Sequence, residues 1–229
     1  MDFKDRKVVV TGGAGALGRA VVARLSEAGA RIRVPIRGNA PPPDFLASES
    51  VKVIPRCDLT NEADVARLYA GINDLWASIH IAGGFAMSDL AATDKTALMR
   101  MLDMNLVSCH LCCRAAAAAF DPAGGRIVNV AARPGLEPRS GAGMSAYTIA
   151  KAGVAALTEA LAAELVGRGI LVNAVAPSII DTPSNRADMP KADHSAWPKP
   201  DEIAATILHL ASPENTVTRG AVIPVYGKT

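Results

Sequence analysis

The chain has 229 residues, half of them apolar and only 4% aromatic, with a formal net charge of +2 at pH 7. That length suits one large α/β domain, and the small charge gives no reason to expect nucleic acid or an acidic membrane as a partner. No apolar run approaches the roughly 18 residues that a membrane-spanning helix needs. In chain order, KVVVTG (7–12) reads as a strand and LGRAVVARLSEAGA (17–30) as a helix ending at Gly29-Ala30. RIRVPI (31–36) and VKVIPRCDL (51–59) read as strands, with the Pro-rich GNAPPPDF (38–45) as a loop within the domain. EADVARLYAGI (62–72) has helical spacing, ASIHIAG (77–83) a strand pattern, and DKTALMRMLDMNLVSCHLCCRAAAAA (94–119) the spacing of one long helix. RIVNVAA (126–132), ILVNAVAP (170–177) and AVIPV (221–225) complete the strands, and 145–169 and 200–212 the helices.

Such alternation implies parallel pairing with right-handed crossovers and helices on both faces. The expectation is an α/β chain, one doubly wound domain over residues 1–229. Ligands of such sheets bind beyond the carboxyl ends of the strands. Those ends are Thr11-Gly12, Ile36-Arg37, Cys57-Asp58, Ala82-Gly83, Ala131-Ala132 and Ala176-Pro177. The opening MDFKDRKVVV is charged and passes straight into a strand, so it does not read as a signal peptide.

TGGAGALG (11–18) follows the first strand and opens the first helix, and Gly13, Gly15 and Gly18 satisfy G-x-G-x-x-G in the required strand–turn–helix setting. Gly12, Gly13, Gly15, Ala16, Leu17 and Gly18 are therefore expected to cradle a pyrophosphate on backbone amides at a helix N-terminus. This is the fingerprint of an NAD(P)-binding Rossmann fold. An acid at the end of the second strand would favour NAD; this chain has Ile36-Arg37, and a planar guanidinium suits the 2′-phosphate, so NADP(H) is favoured over NAD(H). Asp58 and Leu59, after the third strand, are expected to meet the adenine, and Ala82 and Gly83 to border the cofactor.

Tyr147 and Lys151 are four apart on a helix and share a face. A nearby ammonium lowers a phenol's pKa and makes it a usable acid or base for a carbonyl oxygen. The four cysteines, Cys57, Cys109, Cys112 and Cys113, form no secreted disulfide framework. Cys109, Cys112 and His110 could be metal ligands, but no second ligand pair follows. Small buried side chains, no metal and a reducing cytoplasm are the expectation.

Together these motifs resemble the short-chain dehydrogenase/reductase family over nearly the whole chain. Thr11-Gly12…Ala16…Gly18 is similar to that family's T-G-x-x-x-G-x-G, with Ala16 for the middle glycine. Asn105, Tyr147 and Lys151 fall on three of its four catalytic positions, while Ala131-Ala132 stands at the strand end where it carries the serine. Asn173 to Ser178 resembles N-x-V-x-P-G with Ser178 for glycine, and His80 to Gly83 stands in for N-N-A-G. The resemblance implies that Lys151 also holds the nicotinamide ribose, that Asn105 supports a proton-relaying water, and that Pro177 and Thr182 border the nicotinamide, Thr182 at its carboxamide. It further implies a homo-oligomer, a dimer or tetramer, with LVSCHLCCRAAAAAF and AGVAALTEALAAEL at the interface.

GGAGALG, AGGF, the missing serine and DTPSNRADMPKADHSAW also resemble the quinonoid dihydropteridine reductase branch, which carries alanine at the serine position. A donor to the substrate oxygen contributes on the order of 10²–10³ in rate. Its loss leaves three readings open: an activated, quinonoid small-molecule substrate; rescue by Ser140 folding inward from a longer 131–146 segment; or a catalytically weak nucleotide-binding protein. The loop at about 183–199 reads as a lid in which Asn185 and Arg186 could bind substrate; the alternative is a solvated surface loop that Trp197 anchors to the body. Arg133 and Arg139 flank the same region.

Overall fold

The computed structural model describes residues 1–45 and 48–229. Seven strands form one parallel sheet in the order β3-β2-β1-β4-β5-β6-β7. They are β1 Lys7–Thr11, β2 Arg31–Pro35, β3 Val51–Ile54, β4 Leu75–His80, β5 Gly125–Val130, β6 Ile170–Pro177 and β7 Val222–Val225. The helices are α1 Ala16–Glu27, α2 Glu62–Tyr69, α3 Lys95–Leu102, α4 Ser108–Ala119, α5 Arg133–Leu136, α6 Ser145–Glu164, α7 Pro183–Asp188 and α8 Pro200–Ala211.

Parallel strands covered on both faces need apolar residues on both, and β1 supplies them. Val8 and Val10 pack on one side with Val21, Leu25, Ile203 and Ile207 of α1 and α8. Val9 points to the other side, toward Leu68, Cys112, Val154 and their neighbours on α2, α4 and α6. Successive strands step outward from β1 through β2 to β3, after which the chain returns to place β4 on the other side of β1. The crevice at that reversal lies above the glycine loop.

Four of the differences between expected and observed elements have a local cause in the structure. The third strand stops at Ile54 rather than 59, because Pro55 has no amide to pair and Arg56 turns with φ 51°. The long helix over 94–119 is interrupted by a π turn, Asp103–Val107, where the Asn105 amide and the Ser108 hydroxyl donate to the carbonyls of Met101 (3.1 Å) and Met104 (2.8 Å). The helix expected over 145–169 ends at Glu164, followed by a 3₁₀ turn that closes on Gly169 at φ 68°. Finally, the Pro-rich lid contains a short helix: Pro183 occupies its first turn and Thr182 caps it.

Candidate active site

The glycine loop joins β1 to α1 at the edge of the reversal crevice. Gly12 has φ 68°, and a Cβ there would stand 2.7 Å from the Ala82 amide nitrogen; a Cβ on Gly18 would stand 2.1 Å from the Gly12 carbonyl. Only glycine allows this approach of strand, helix and the chain after β4. α1 is preceded by Gly15 at its N-cap, which brings no side-chain cap, and has no acid in its first turn. Its leading amides and positive dipole end are therefore free for an anion. Ala16 is exposed and is the first residue of α1, a helical position that makes no demand for glycine. Arg37, just past β2, lies 3.6 Å from the Asp58 carboxylate, so the two residues expected at the adenosine end are neighbours. Hydrogen bonds from the Thr60 amide and hydroxyl, together with Arg37, hold the Asp58 carboxyl below its ordinary value. Leu59 is half-buried against the core.

Across the crevice, Tyr147 and Lys151 occupy the first two turns of α6. The Lys151 ammonium is buried, donates to the Val130 carbonyl at 2.8 Å and lies 5.9 Å from the Tyr147 ring centroid. Desolvation lowers its pKa from 10.5 to about 8. Burial pushes the Tyr147 phenol up to about 12. This corrects the expectation of a phenol acidified by its lysine. The ammonium is turned to the end of β5, so desolvation outweighs its attraction for the phenolate and the phenol stays a protonated donor at neutral pH.

Asn105 is buried in the π turn, a helix defect often found at functional sites. Its amide donates to Gly84 O (3.0 Å) as well as Met101 O and accepts from Gly84 N (3.2 Å), pinning the chain beyond β4. Gly83 fits between Asn105 and Lys151, since a Cβ there would stand 2.5 Å from Asn105 Oδ1 and 3.5 Å from Lys151 Nζ. Two residues on, Phe85 is 59% exposed and packs edge-on against the Tyr147 ring with centroids 5.1 Å apart. Met87 and Leu90 follow it, also exposed. The sequence reading missed Phe85. The available signal was a lone aromatic directly after two glycines at a strand end.

Ala131 and Ala132 are buried at the end of β5 and bring no hydroxyl to the site. Ser140 does not fold inward: it is exposed, and its hydroxyl donates to Glu137 O at 2.8 Å inside its own 3₁₀ turn. Ser178 keeps its backbone out of the left-handed region and donates to Tyr226 O at 2.9 Å, which explains its tolerance after Pro177. In the lid, Asn185 donates to Ile180 O (2.8 Å) and Arg186 pairs with Asp181 (2.5 and 2.8 Å), so both polar groups expected to reach substrate are held within the loop. Trp197 is buried, with its ring 4.6 Å from that of His194 in the same loop. Arg133 pairs with Glu137 and lies over the Tyr226 ring. His110 is exposed, and no group formed by Cys109, Cys112 and His110 exists.

A parallel sheet with a glycine-rich turn into an uncapped helix at its reversal point defines a dinucleotide-binding α/β protein. The family model described as short chain dehydrogenase matches residues 6–193, and the chain belongs to that family. It is 29% identical to a 3beta-hydroxysteroid dehydrogenase of Mediterraneibacter gnavus, covering 98% of this chain and 95% of that one. It is 33% identical to a galactitol 2-dehydrogenase of Rhizobium johnstonii over 96% and 93% of the two chains. Among solved structures, a short-chain type dehydrogenase/reductase from Mycobacterium ulcerans superposes with a TM-score of 0.88 at 25% identity, covering 100% of this chain and 90% of that chain. Homologous dehydrogenases and reductases make oxidoreductase activity the family expectation.

Proposed function

We propose that this chain is an NAD(P)(H)-dependent oxidoreductase in which Tyr147 is the general acid and base, Lys151 its electrostatic partner and Asn105 a positioning residue. The observation that carries the reading is the buried Lys151 ammonium beside Tyr147, at the carboxyl ends of β5 and β6 and across the crevice from the glycine loop. The glycine cradle and the uncapped start of α1 fit a dinucleotide pyrophosphate. In this reading Gly12, Gly13, Gly15, Ala16, Leu17 and Gly18 hold the phosphates, Arg37 the 2′-phosphate of NADP, and Asp58 and Leu59 the adenine. Ala82, Gly83, Pro177 and Thr182 border the nicotinamide, and Lys151 also binds its ribose.

When bound, such a cofactor supplies hydride to a substrate carbon. The chain supplies the proton. Tyr147 donates its phenolic hydrogen to the substrate oxygen, and the Lys151 ammonium stabilises the phenolate left behind. Phe85 packs on Tyr147, and Met87 and Leu90 in the same segment are also exposed, which supports a substrate with an apolar body. Ala132 brings no hydroxyl to the strand end, and Ser140 turns its own outward to Glu137 O. This supports an activated carbonyl or quinonoid acceptor, which relies less on that donor. The same absence favours, as a second reading, a weak catalyst that acts through nucleotide binding. The exposed Ala156, Ala160 and Ala163 on α6 support a homo-oligomer.

The test is oxidation of NADPH and NADH against a quinonoid dihydropterin, o-quinones, diketones and plain ketones, with Tyr147→Phe as control. Turnover of activated acceptors that the substitution abolishes supports the reading. Tight nucleotide binding without turnover of any acceptor moves the second reading ahead.

A further inference from the structure

Behind Lys151, four electron-rich side-chain atoms converge on one point between the sheet and α4. Cys109 and Cys113 are one turn apart on α4, His80 ends β4, and Asn129 is its register partner on β5. Their exposures are 5%, 1%, 3% and 0%. Asn129 Oδ1 lies 2.8 Å from His80 Nδ1, 3.3 Å from Cys109 Sγ and 3.6 Å from Cys113 Sγ. Cys113 Sγ is 3.4 Å from His80 Nδ1. The imidazole and the two sulfurs offer ligand atoms that all lie within 4.8 Å of one another.

The orientation of each group is set from outside the cluster. The Thr158 hydroxyl donates to Val154 O at 2.8 Å, so it accepts from Asn129 Nδ2 at 3.0 Å, and the amide must turn its oxygen inward. Ser78 Oγ sits 2.8 Å from His80 Nε2, with the Tyr69 hydroxyl 2.7 Å further along. That contact can take an Nε2 hydrogen and leave the Nδ1 lone pair facing inward, the outer-shell arrangement of a ligating histidine. As a hydrogen-bonded core the cluster is overcrowded. The Nδ1–H and two S–H groups all aim at one carbonyl oxygen, which has two lone pairs.

We propose that His80 Nδ1, Cys109 Sγ, Cys113 Sγ and Asn129 Oδ1 form a tetrahedral site for one thiophilic divalent cation of the zinc class. Bonds of about 2.0–2.3 Å to N, O and S ligands give tetrahedral edges of about 3.3–3.8 Å. Three of the four measured contacts already fall in that range, at 3.3, 3.4 and 3.6 Å. The fourth, at 2.8 Å, is a hydrogen bond that opens when the cation replaces its proton. Binding releases the two thiol protons to solvent and moves the imidazole hydrogen from Nδ1 to Nε2. Two thiolates then balance the dication, so no net charge is added beside Lys151. The site ties β4, β5 and α4 together one residue before Val130, whose carbonyl holds the Lys151 ammonium, and is structural, with no open position. The sequence concealed it because His80 lies far from the cysteines in the chain, whereas the neighbouring His110 points outward.

A fully buried site loads as the chain folds. The test is therefore to unfold the full chain in denaturant with a non-thiol reductant, and to refold it with and without one equivalent of cobalt(II). The expected result is one cobalt per chain, thiolate-to-cobalt charge-transfer bands, the visible bands of tetrahedral cobalt, and their loss on adding one equivalent of zinc. A raised thermal midpoint should accompany loading. Cys112→Ala should retain the bands, and Cys109→Ala and Cys113→Ala should lose them. Refolded wild-type chain without charge-transfer bands, or with bands that survive both cluster substitutions, overturns the proposal. The wild-type measurement decides even if a variant does not fold.

Discussion

Lys151→Met should make the protein more stable at neutral pH. Lys151 is 6% exposed, and its pKa falls from 10.5 to about 8, chiefly through desolvation. At roughly 1.4 kcal/mol per pH unit, holding that charge in the fold costs about 3 kcal/mol. The substitution also removes the charged hydrogen bond to Val130 O at 2.8 Å, worth about 1.5–3 kcal/mol, so a net gain of up to about 2 kcal/mol is expected at pH 7. The sign follows from linkage: a base with a depressed folded pKa is penalised wherever both states would be protonated. The penalty is complete below about pH 8, shrinks as pH rises and vanishes above 10.5. Urea unfolding of wild type and variant between pH 7 and 10.5 measures the difference directly, and other titrating groups cancel. The variant's advantage should disappear across that window. A variant less stable at pH 7, or a difference that does not change with pH, would show that Lys151 is not carried as a strained charge.

Removing the phenolic proton with Tyr147→Phe should lower kcat by roughly 10²–10⁴ while nucleotide affinity, read by fluorescence titration, stays within a few-fold; equal turnover would remove Tyr147 from the mechanism. The rate of reduction should fall as pH passes about 8, where Lys151 loses its charge, while Tyr147 stays protonated to about 12; a flat profile to pH 10 refutes this pairing. Arg37→Ala should raise the KM for NADPH by roughly 10–100-fold, the size of a charge-assisted contact, with a much smaller change for NADH; parallel changes in both would place Arg37 away from the 2′-phosphate. Ala156→Glu, on the exposed face of α6, should lower the mass measured by light scattering, and an unchanged mass would count against that face as an interface.

The alternation of strands and helices, the single parallel sheet and the glycine turn were legible in the sequence because they rest on local causes. Apolar runs such as KVVV suit strands covered on both faces, periodic spacing sets helices, and glycine alone satisfies the contacts of Gly12 and Gly18. The pairing of Tyr147 with Lys151 was legible for the same reason, since helix geometry places i and i+4 together. Long-range packing decided the rest. It turned Lys151 onto the Val130 carbonyl, which reversed the expected effect on Tyr147, and it closed Arg186 on Asp181 and Ser140 on Glu137. It set Phe85 against Tyr147. It also brought His80 and Asn129 to cysteines on another element. Sequence periodicity tells which face of an element is buried; only the packed structure tells which groups from other elements meet it there, and the charges and hydrogen bonds at those meetings determine the chemistry.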